Sequence, residues 1–401
     1  MRVLHLCWSY LSEWFPGEGS FFRNMVEPLR DAALDVTVVT PVPYAPRFLG
    51  RLIPPGVRRV AVLPRSYEFN AVPVLVPRYA RLPRRLDGDL LPVLMARAVA
   101  SAVHDKPHIL HAHFAYPYGV AALHLSRRWR VPVVLTIHGD DGTILPYRSE
   151  GDRRRFVRAV RGADHVLAVS DDLVRRTYDL AGRTVEFWPI GVDLNVFRRR
   201  TEDRAVLRRR LGLPTDKKLL LFVSALTEQK GVDQVPALMD RLHPGIRAVL
   251  VGDGPLRQEI CNNPRCIWVP PIPNSRVAEY LSAADVMVLP TEREGTPTVL
   301  VEAGAAHLPI VANAVSGIPD LLADCRGVLA EPHNMDSLVR AIEETLSDPE
   351  ASGQRAARLY AFVATHYDCS SNGQRLKQLY ERLLAQRCAD PLSDPGIAGK
   401  I

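Results

Sequence analysis

Glu294 and Glu302 bracket the stretch of this 401-residue chain most readily given a chemical task. The segment Glu294-Gly295-Thr296-Pro297-Thr298-Val299-Leu300-Val301-Glu302 follows an apolar run, Val286-Met287-Val288-Leu289-Pro290, that reads as a buried strand. Thr296 is suited to cap the helix that follows and Pro297 to its first position. The free amides of that helix end would then turn their positive pole to whatever lies at the strand's carboxyl end, a natural place for a phosphate or sugar oxygen. Glu294 stays in the loop and Glu302 falls more than one turn into the helix, so the pair could hold two parts of one ligand. Taken alone, the segment also fits a capped surface helix with two solvated acids.

Five further stretches carry suitable side chains. Ser224-Ala225-Leu226-Thr227-Glu228-Gln229-Lys230-Gly231 puts a lysine in a turn after another apolar run, where it could meet an anionic group. Val251-Gly252-Asp253-Gly254-Pro255-Leu256-Arg257 follows a third run, and glycines there let backbone approach a ligand or simply make a tight turn. Pro16-Gly17-Glu18-Gly19-Ser20 precedes a helical segment, with Ser20 as a cap and the amides after Gly19 open to a phosphate. Pro28 inside that segment predicts a kink or an early end. Thr136-Ile137-His138-Gly139-Asp140-Asp141 and Leu110-His111-Ala112-His113 place histidines at strand ends, where open α/β sheets bind ligands. No His, Cys or carboxylate spacing indicates a metal, and Asp87-Gly88-Asp89 lies outside the core strands, so no metal is assigned.

These residues need a scaffold that ends strands at one edge. Short β-rich runs alternate with helix-length segments in both halves: Val3 to Cys7, Val36 to Thr40, Ile109 to His113, Pro132 to His138 and His165 to Ser170, then Leu219 to Ser224, Ala248 to Gly252, Ile267 to Val269, Val286 to Pro290 and Ile310 to Ala312. That alternation predicts βαβ units and parallel sheets. Weak strand signals at Val60 to Leu63 and Val72 to Val76 lie in a proline-rich region. The expected organisation is a domain over 1–197, a second over 198–368, a helix over 369–388 and a disordered tail over 389–401. Helices are predicted from Met335 to Ser347, then through Ala361, then from about Gly373 to Gln386. The 47% hydrophobic content supplies ample core, and no run of about 20 apolar residues marks a membrane span. The start of the chain lacks the pattern of a signal peptide, which makes the cytoplasm the expected compartment. Ten arginines against three acids between Arg47 and Arg97 form a candidate docking surface within a net charge of +7. Without clustered aromatic residues that surface does not read as a nucleic-acid site.

The spaced glutamates, with Ala284-Asp285 before the strand and Ser316-Gly317-Ile318-Pro319-Asp320 after it, resemble family 4 of the GT-B glycosyltransferases. The resemblance covers nearly the whole chain. It implies an α/β fold of two Rossmann-like domains facing across a cleft, with the last helix crossing back to the first domain. It implies a retaining, metal-independent transfer from a UDP- or GDP-sugar co-substrate, with no other cofactor. Glu294 would contact donor-sugar hydroxyls and Glu302 the ribose, while backbone amides from Thr296 through Pro297 and Thr298 to Val299 would face sugar and diphosphate, with Gly295 also on the donor. Lys230 would grip the diphosphate, and Ala225 replaces the arginine usual there, which removes one positive charge. Gly252, Gly254 and Arg257 would form the nucleotide loop, backbone near Pro270 and Ile272 would read the base, and Gly17 and Gly19 would approach the phosphate. His138 would lie beside the transferred sugar, making it catalytic with Lys230 and Glu294; His113 and Asp140 are expected on the acceptor side. Front-face displacement is expected, with the departing phosphate helping to deprotonate the acceptor.

A looser resemblance, carried by Pro16-Gly17-Glu18-Gly19-Ser20-Phe21, Thr40-Pro41-Val42-Pro43 and Val76-Pro77-Arg78-Tyr79, is to bacterial enzymes that build surface polysaccharides such as teichuronic acid. It implies a lipid-linked saccharide acceptor and a peripheral place at an anionic inner membrane face. A soluble secondary-metabolite acceptor and a catalytically silent sugar-nucleotide-binding protein are the competing readings.

Overall fold

The computed structural model describes residues 1–10, 14, 20–44, 57, 60, 62–80, 84–294 and 297–389. Gly17, Gly19, Gly295 and Thr296 lie outside these, as does the segment 390–401. The chain divides into two units, Met1–Pro189 with the residues from Ser370 onward, and Ile190–Cys369.

Unit 1 contains β1 (Arg2–Leu6), α1 (Ser20–Asp31), β2 (Asp35–Val39), β3 (Ser66–Phe69), β4 (Val72–Leu75), α2 (Arg84–Ala102), β5 (Ile109–His113), α3 (Val120–Trp129), β6 (Val133–Ile137), α4 (Asp140–Thr143), α5 (Glu150–Gly162), β7 (His165–Ala168), α6 (Asp171–Ala181) and β8 (Glu186–Phe187). Its strands run in the order β8-β7-β6-β5-β1-β2-β4-β3, parallel except for the β3/β4 hairpin. Period-2 alternation gives that sheet its buried face: Val3 and Cys7, Val36 and Val38, Val72 and Val74, Ile109 and Val134 share one core. Phe22, Met25, Val26 and Leu29 cover it from α1 at helical spacing.

Unit 2 contains β9 (Lys218–Val223), α7 (Val235–Arg241), β10 (Ile246–Val251), β11 (Cys266–Val269), α8 (Asn274–Ala283), β12 (Val286–Leu289), α9 (Thr298–Ala305), β13 (Ile310–Asn313), β14 (Val328–Ala330), α10 (Met335–Ser347) and α11 (Pro349–His366). The strand order is β11-β10-β9-β12-β13-β14, with every pair parallel. Order reverses at β1 in the first sheet and at β9 in the second. Ligands of open α/β sheets bind outside the carboxyl ends of the strands at such reversals.

The last helix, α12 (Cys369–Ala389), packs Leu376, Leu379, Tyr380 and Leu383 into the unit-1 core. Its Gly373 lies against α1, where a Cβ would come within 2.6 Å of Pro28 Cβ. Pro28 does not kink α1 to an early stop; the helix continues to Asp31, and the proline becomes a packing surface. The unit boundary falls after Pro189 and not near Phe197, because the turn Leu194–Phe197 packs on α8 and α9 and Phe197 is fully buried there. Val60 to Leu63 is not a strand: Val60 is helical and Val62 and Leu63 lie in a turn. β3 is instead joined to β4 by Asn70 and Ala71, both with positive φ, as a tight two-residue hairpin requires. Among the described residues no helix is long and apolar enough to cross a membrane.

The α12 contact can be tested by removing one oxygen. Tyr380 is fully buried and its hydroxyl lies 2.6 Å from His111 Nδ1. Tyr380→Phe strands that nitrogen and is expected to cost about 1–3 kcal/mol in urea denaturation of unit 1; an unchanged midpoint would show that the hydroxyl supports nothing.

Candidate active site

In unit 2 the two strands at the reversal, β9 and β12, bring their following loops together. Lys230 closes a single turn after β9 and Glu294 ends the loop after β12; Lys230 Nζ donates to Glu294 Oε1, with both side chains largely covered. Backbone fixes the approach. Glu292 N donates to Gln229 O at 3.1 Å, the buried Thr291 hydroxyl reaches the same carbonyl at 3.0 Å, and Asn313 Nδ2 holds Thr291 O at 3.2 Å. Gly231 is at φ 69°, and a Cβ there would come within 2.0 Å of Pro290 O, so only glycine lets the lysine turn lie this close to β12.

The helix after this loop, α9, starts at Thr298, which leaves Pro297 in the capping position and not at the first helical one. Its first amides, at Thr298 and Val299, have no acceptor inside the helix and are oriented outward from its start. Glu302 is buried on α9, 7% exposed. Glu294 N donates to Ser316 Oγ at 3.3 Å, tying in the loop after β13.

Beside this pair, the β10 loop comes close to the backbone after β9. At Gly252 a Cβ would lie 2.0 Å from Ser224 O, and Leu226 N donates to Asp253 O at 3.0 Å. Gly254 O accepts from Arg257 N at 3.2 Å, and the Arg257 guanidinium lies 4.8 Å over the Trp268 ring. Trp268 Nε1 donates to Gly252 O at 2.8 Å. Pro270 directly follows β11 and is exposed, and Ile272 is half-buried. Lys230, Glu294, Gly252, Gly254 and the start of α9 thus belong to adjoining carboxyl-end loops of one sheet.

Unit 1 concentrates histidines at its own reversal. Residues His5 of β1 and His111 of β5 are paired in register, His113 is two residues further along β5, and His138 follows β6. His5 Nδ1 and His113 Nε2 lie 2.9 Å apart, as do His113 Nδ1 and His138 Nε2. His111 stacks on His113 at 4.4 Å, with its nitrogens 2.6 Å from Tyr380 OH and 2.7 Å from Thr136 Oγ1. Phe22 meets His113 and His138 edge to face, and Phe114 lies 4.9 Å from His138. Burial pushes His5 and His138 down to about 3, and His111 and His113 well below the ordinary value, so all four are neutral. His113, expected on the acceptor side, is fully buried with both ring nitrogens engaged by other histidines.

Sheet register also makes His5, His111 and His113 a candidate metal group, with one ring nitrogen from each within 4.8 Å of the others. Every nitrogen of the three except His5 Nε2 is already hydrogen bonded, so an ion would have to break these contacts. Asp87-Gly88-Asp89 is tied elsewhere: Arg155 Nε donates to Asp89 Oδ1 at 3.0 Å and Tyr116 OH to Gly88 O at 2.7 Å.

The residue that sequence reasoning passed over is Asp141. Its exposed neighbour Asp140 opens α4, whereas Asp141 is buried and accepts three amides: His138 N and Gly139 N on Oδ1 and Ala115 N on Oδ2, each at 3.0 Å. It therefore holds the backbone of His138 to the loop after β5. Burial raises its carboxyl to about 6 from 3.8, against the pull of those amides. The folded state takes up this proton as pH falls through 6 and the unfolded chain only near 3.8, so this contribution to stability is fully present below 3.8 and lost as pH rises through 6. Asp141→Asn removes the term. The stability advantage of the unsubstituted protein over Asp141→Asn should be larger at about pH 4.5 than at neutral pH in denaturant titrations, and an advantage that grows with rising pH would contradict the assignment.

Comparison with known proteins completes the picture. A model of "Glycosyltransferase Family 4" matches residues 17–196, and one of "Glycosyl transferases group 1" matches residues 203–360. TuaC of Bacillus subtilis strain 168, a glycosyltransferase assigned to teichuronic acid biosynthesis, is 33% identical over 384 residues, covering 95% of this chain and 98% of TuaC. Among solved structures, sucrose-phosphate synthase from Thermosynechococcus elongatus superposes with a TM-score of 0.78 at 21% identity, over 96% of this chain and 99% of that one. HepE of Anabaena in complex with UDP-glucose gives 0.73 at 20% identity, over 95% and 100%. With a full-length relative, both family models and the paired parallel sheets in agreement, the chain belongs to the group 1, family 4 glycosyltransferases and has the GT-B fold.

Proposed function

We propose that this glycosyltransferase takes its sugar from a UDP- or GDP-sugar, transfers it to a saccharide hydroxyl with retention of configuration, and uses no metal. The observation that carries the reading is the Lys230–Glu294 ion pair at the strand-order reversal of unit 2, next to the start of α9. Loss of a nucleoside diphosphate builds negative charge that preorganised donors must meet. Lys230 and the amides of Thr298 and Val299 supply such donors, and Gly295 and Thr296 are assigned to the donor as well. Glu294, released from Lys230 by the phosphate, is then available to a sugar hydroxyl; Glu302 takes the ribose. Gly252, Gly254 and Arg257 line the nucleotide, and backbone near Pro270 and Ile272 reads its base. Gly17 and Gly19 are assigned to the phosphate side. His138 hydrogen bonds the transferred sugar, Asp140 faces the acceptor, and the departing phosphate takes the acceptor proton in a front-face displacement. The UDP-glucose bound by HepE supports a nucleotide sugar as donor.

Likeness to TuaC favours an acceptor in surface-polysaccharide synthesis, lipid-linked and presented at an anionic membrane face, with the protein peripheral on the cytoplasmic side. The arginines between Arg47 and Arg97 are the basis for that attraction. Ala225, where the family usually has an arginine, favours a second reading: a protein that binds a sugar nucleotide without turning it over.

A thermal-shift screen of UDP-, GDP- and dTDP-sugars tests the first reading. One donor class is expected to raise Tm, and Lys230→Ala and Glu294→Ala should each weaken that donor at least about tenfold, the loss expected on removing one charge-assisted contact. Stabilisation without donor hydrolysis or transfer in any acceptor screen would favour the silent protein, and no stabilisation by any donor would refute both.

A further inference from the structure

Arginine is used in two ways on this chain. Where it holds structure it is met by an acid: Arg204 and Arg208 share Asp285, Arg210 reaches Glu202 and Glu279, and Arg176 pairs with Asp172 one turn back. Arg155 of α5 is taken by both Asp89 and Asp152. Five exposed arginines of unit 1 have no such partner among the described residues: Arg127 and Arg128 of α3, and Arg153, Arg154 and Arg158 of α5. The two helices pack side by side. α3 carries no acid, and the acids of α5, Glu150 and Asp152, both sit in its first turn.

Sequence periodicity gathers these charges. On α5 Phe156, Ala159 and Val160 are buried, which turns Arg154 and Arg158, one turn apart, outward together. On α3 Arg127 and Arg128 follow His124 by one turn. The two sets meet at His124: burial first, then Arg158 of one helix and Arg127 of the other, hold its imidazole below the ordinary value. One positive face therefore crosses from α3 to α5. Like charges so placed repel one another until an anion meets them.

Chemistry narrows the anion. A folded protein partner needs an apolar or aromatic centre, and none of the exposed large hydrophobic side chains of the described residues lies on α3 or α5. Single-stranded nucleic acid needs exposed rings on which its bases stack, and the same absence counts against it. A bilayer containing acidic phospholipids needs neither. It offers a continuous negative potential and phosphodiester oxygens that the guanidinium fork matches. We propose that the outer faces of α3 and α5 are a docking surface for an anionic phospholipid bilayer, carried by Arg127, Arg128, Arg153, Arg154 and Arg158. This surface is separate in sequence from the arginines between Arg47 and Arg97, and its binding is electrostatic, without an inserted apolar side chain. Its use in turnover, holding the protein where a lipid-linked acceptor lies, rests on the proposed function; the binding itself does not.

Vesicle co-sedimentation of the full chain tests it, with vesicles of phosphatidylglycerol in phosphatidylcholine or of phosphatidylcholine alone. Binding is expected to the anionic vesicles only, and is lost between about 0.1 M and 0.5 M salt as the screening length shortens. Arg127→Ala/Arg128→Ala and Arg154→Ala/Arg158→Ala should each weaken it about 30-fold, at about fivefold for each arginine. The control Arg210→Ala/Arg241→Ala removes the same net charge from paired, half-exposed arginines of unit 2, and should change binding less than about twofold. All these side chains reach the surface, so each variant should keep the thermal midpoint of a folded protein. Binding that survives both α3 and α5 variants, or that falls equally in the control, overturns the proposal. Loss of binding on Arg47→Ala/Arg51→Ala with the α3 and α5 variants unaffected also overturns it and places the contact in the earlier segment. Tighter binding to a DNA duplex than to anionic vesicles at the same salt would make the face a nucleic-acid site instead. Absence of donor binding and of transfer by the unsubstituted protein would refute the proposed function and leave the vesicle result standing.

Discussion

A parallel sheet covered on both faces tolerates polar side chains only where each polar atom is matched, and in both units here that place is the carboxyl end of the strands where order reverses. Elsewhere the faces are apolar, mostly Val, Leu, Ile and Ala, with Phe222 on β9. At β1 and β5 the alternation that puts Val3 and Ile109 in the core necessarily puts His5, His111 and His113 on that same face, further along the strands. These imidazoles are tolerated because they partner one another, Tyr380 and Thr136. At β9 and β12 the matching is ionic, Lys230 with Glu294, and the surrounding loops are stitched by backbone bonds.

The two sites differ in electrical character, and that difference bears on their tasks. Unit 2 holds an ion pair under partial cover, and on the proposed reading an incoming diphosphate would exchange one anionic partner of Lys230 for another and desolvate no new cation. A lysine already clothed by a carboxylate costs less to bind than a bare one would. Unit 1 is neutral throughout its histidine line, because burial forbids an imidazolium there. On the proposed reading its contribution to a ligand would be directional hydrogen bonding and shape. On the proposed reading, Ala225 in place of the usual arginine would leave Lys230 and the helix-end amides to meet leaving-group charge, and the geometry of that loop, with Gly231, would matter the more.

Much of this was legible in sequence because it is local. β5 and α10 have the bounds that the apolar runs and helix periodicity indicate, and the glutamates around Pro297 lie on one loop and one helix that any reading of the segment must produce. What escaped was set by register between distant strands. His5 reads as an ordinary strand residue until β1 is laid beside β5, which pairs it with His111 more than a hundred positions away. Asp141 could not be separated from Asp140 without knowing which one turns inward, although a carboxylate in the first turn of a helix, two residues after a glycine, is the type of group that gathers loop amides. Of the β3/β4 hairpin, the signal at Val72 to Val76 gave β4, whereas β3 at Ser66–Phe69 was missed and a strand was expected at Val60 to Leu63 in its place. The domain boundary shifted because Phe197 finds its core in unit 2, a choice made by packing and not by composition.

The central claim is that the Lys230–Glu294 pair and the first turn of α9 form the diphosphate site. It is tested most directly by a crystal structure with a bound nucleoside diphosphate. The account predicts the β-phosphate within hydrogen-bond distance of Lys230 Nζ and of the Thr298 and Val299 amides, with Glu294 drawn away from the lysine. A diphosphate held elsewhere, with Lys230 still paired to Glu294, would contradict it.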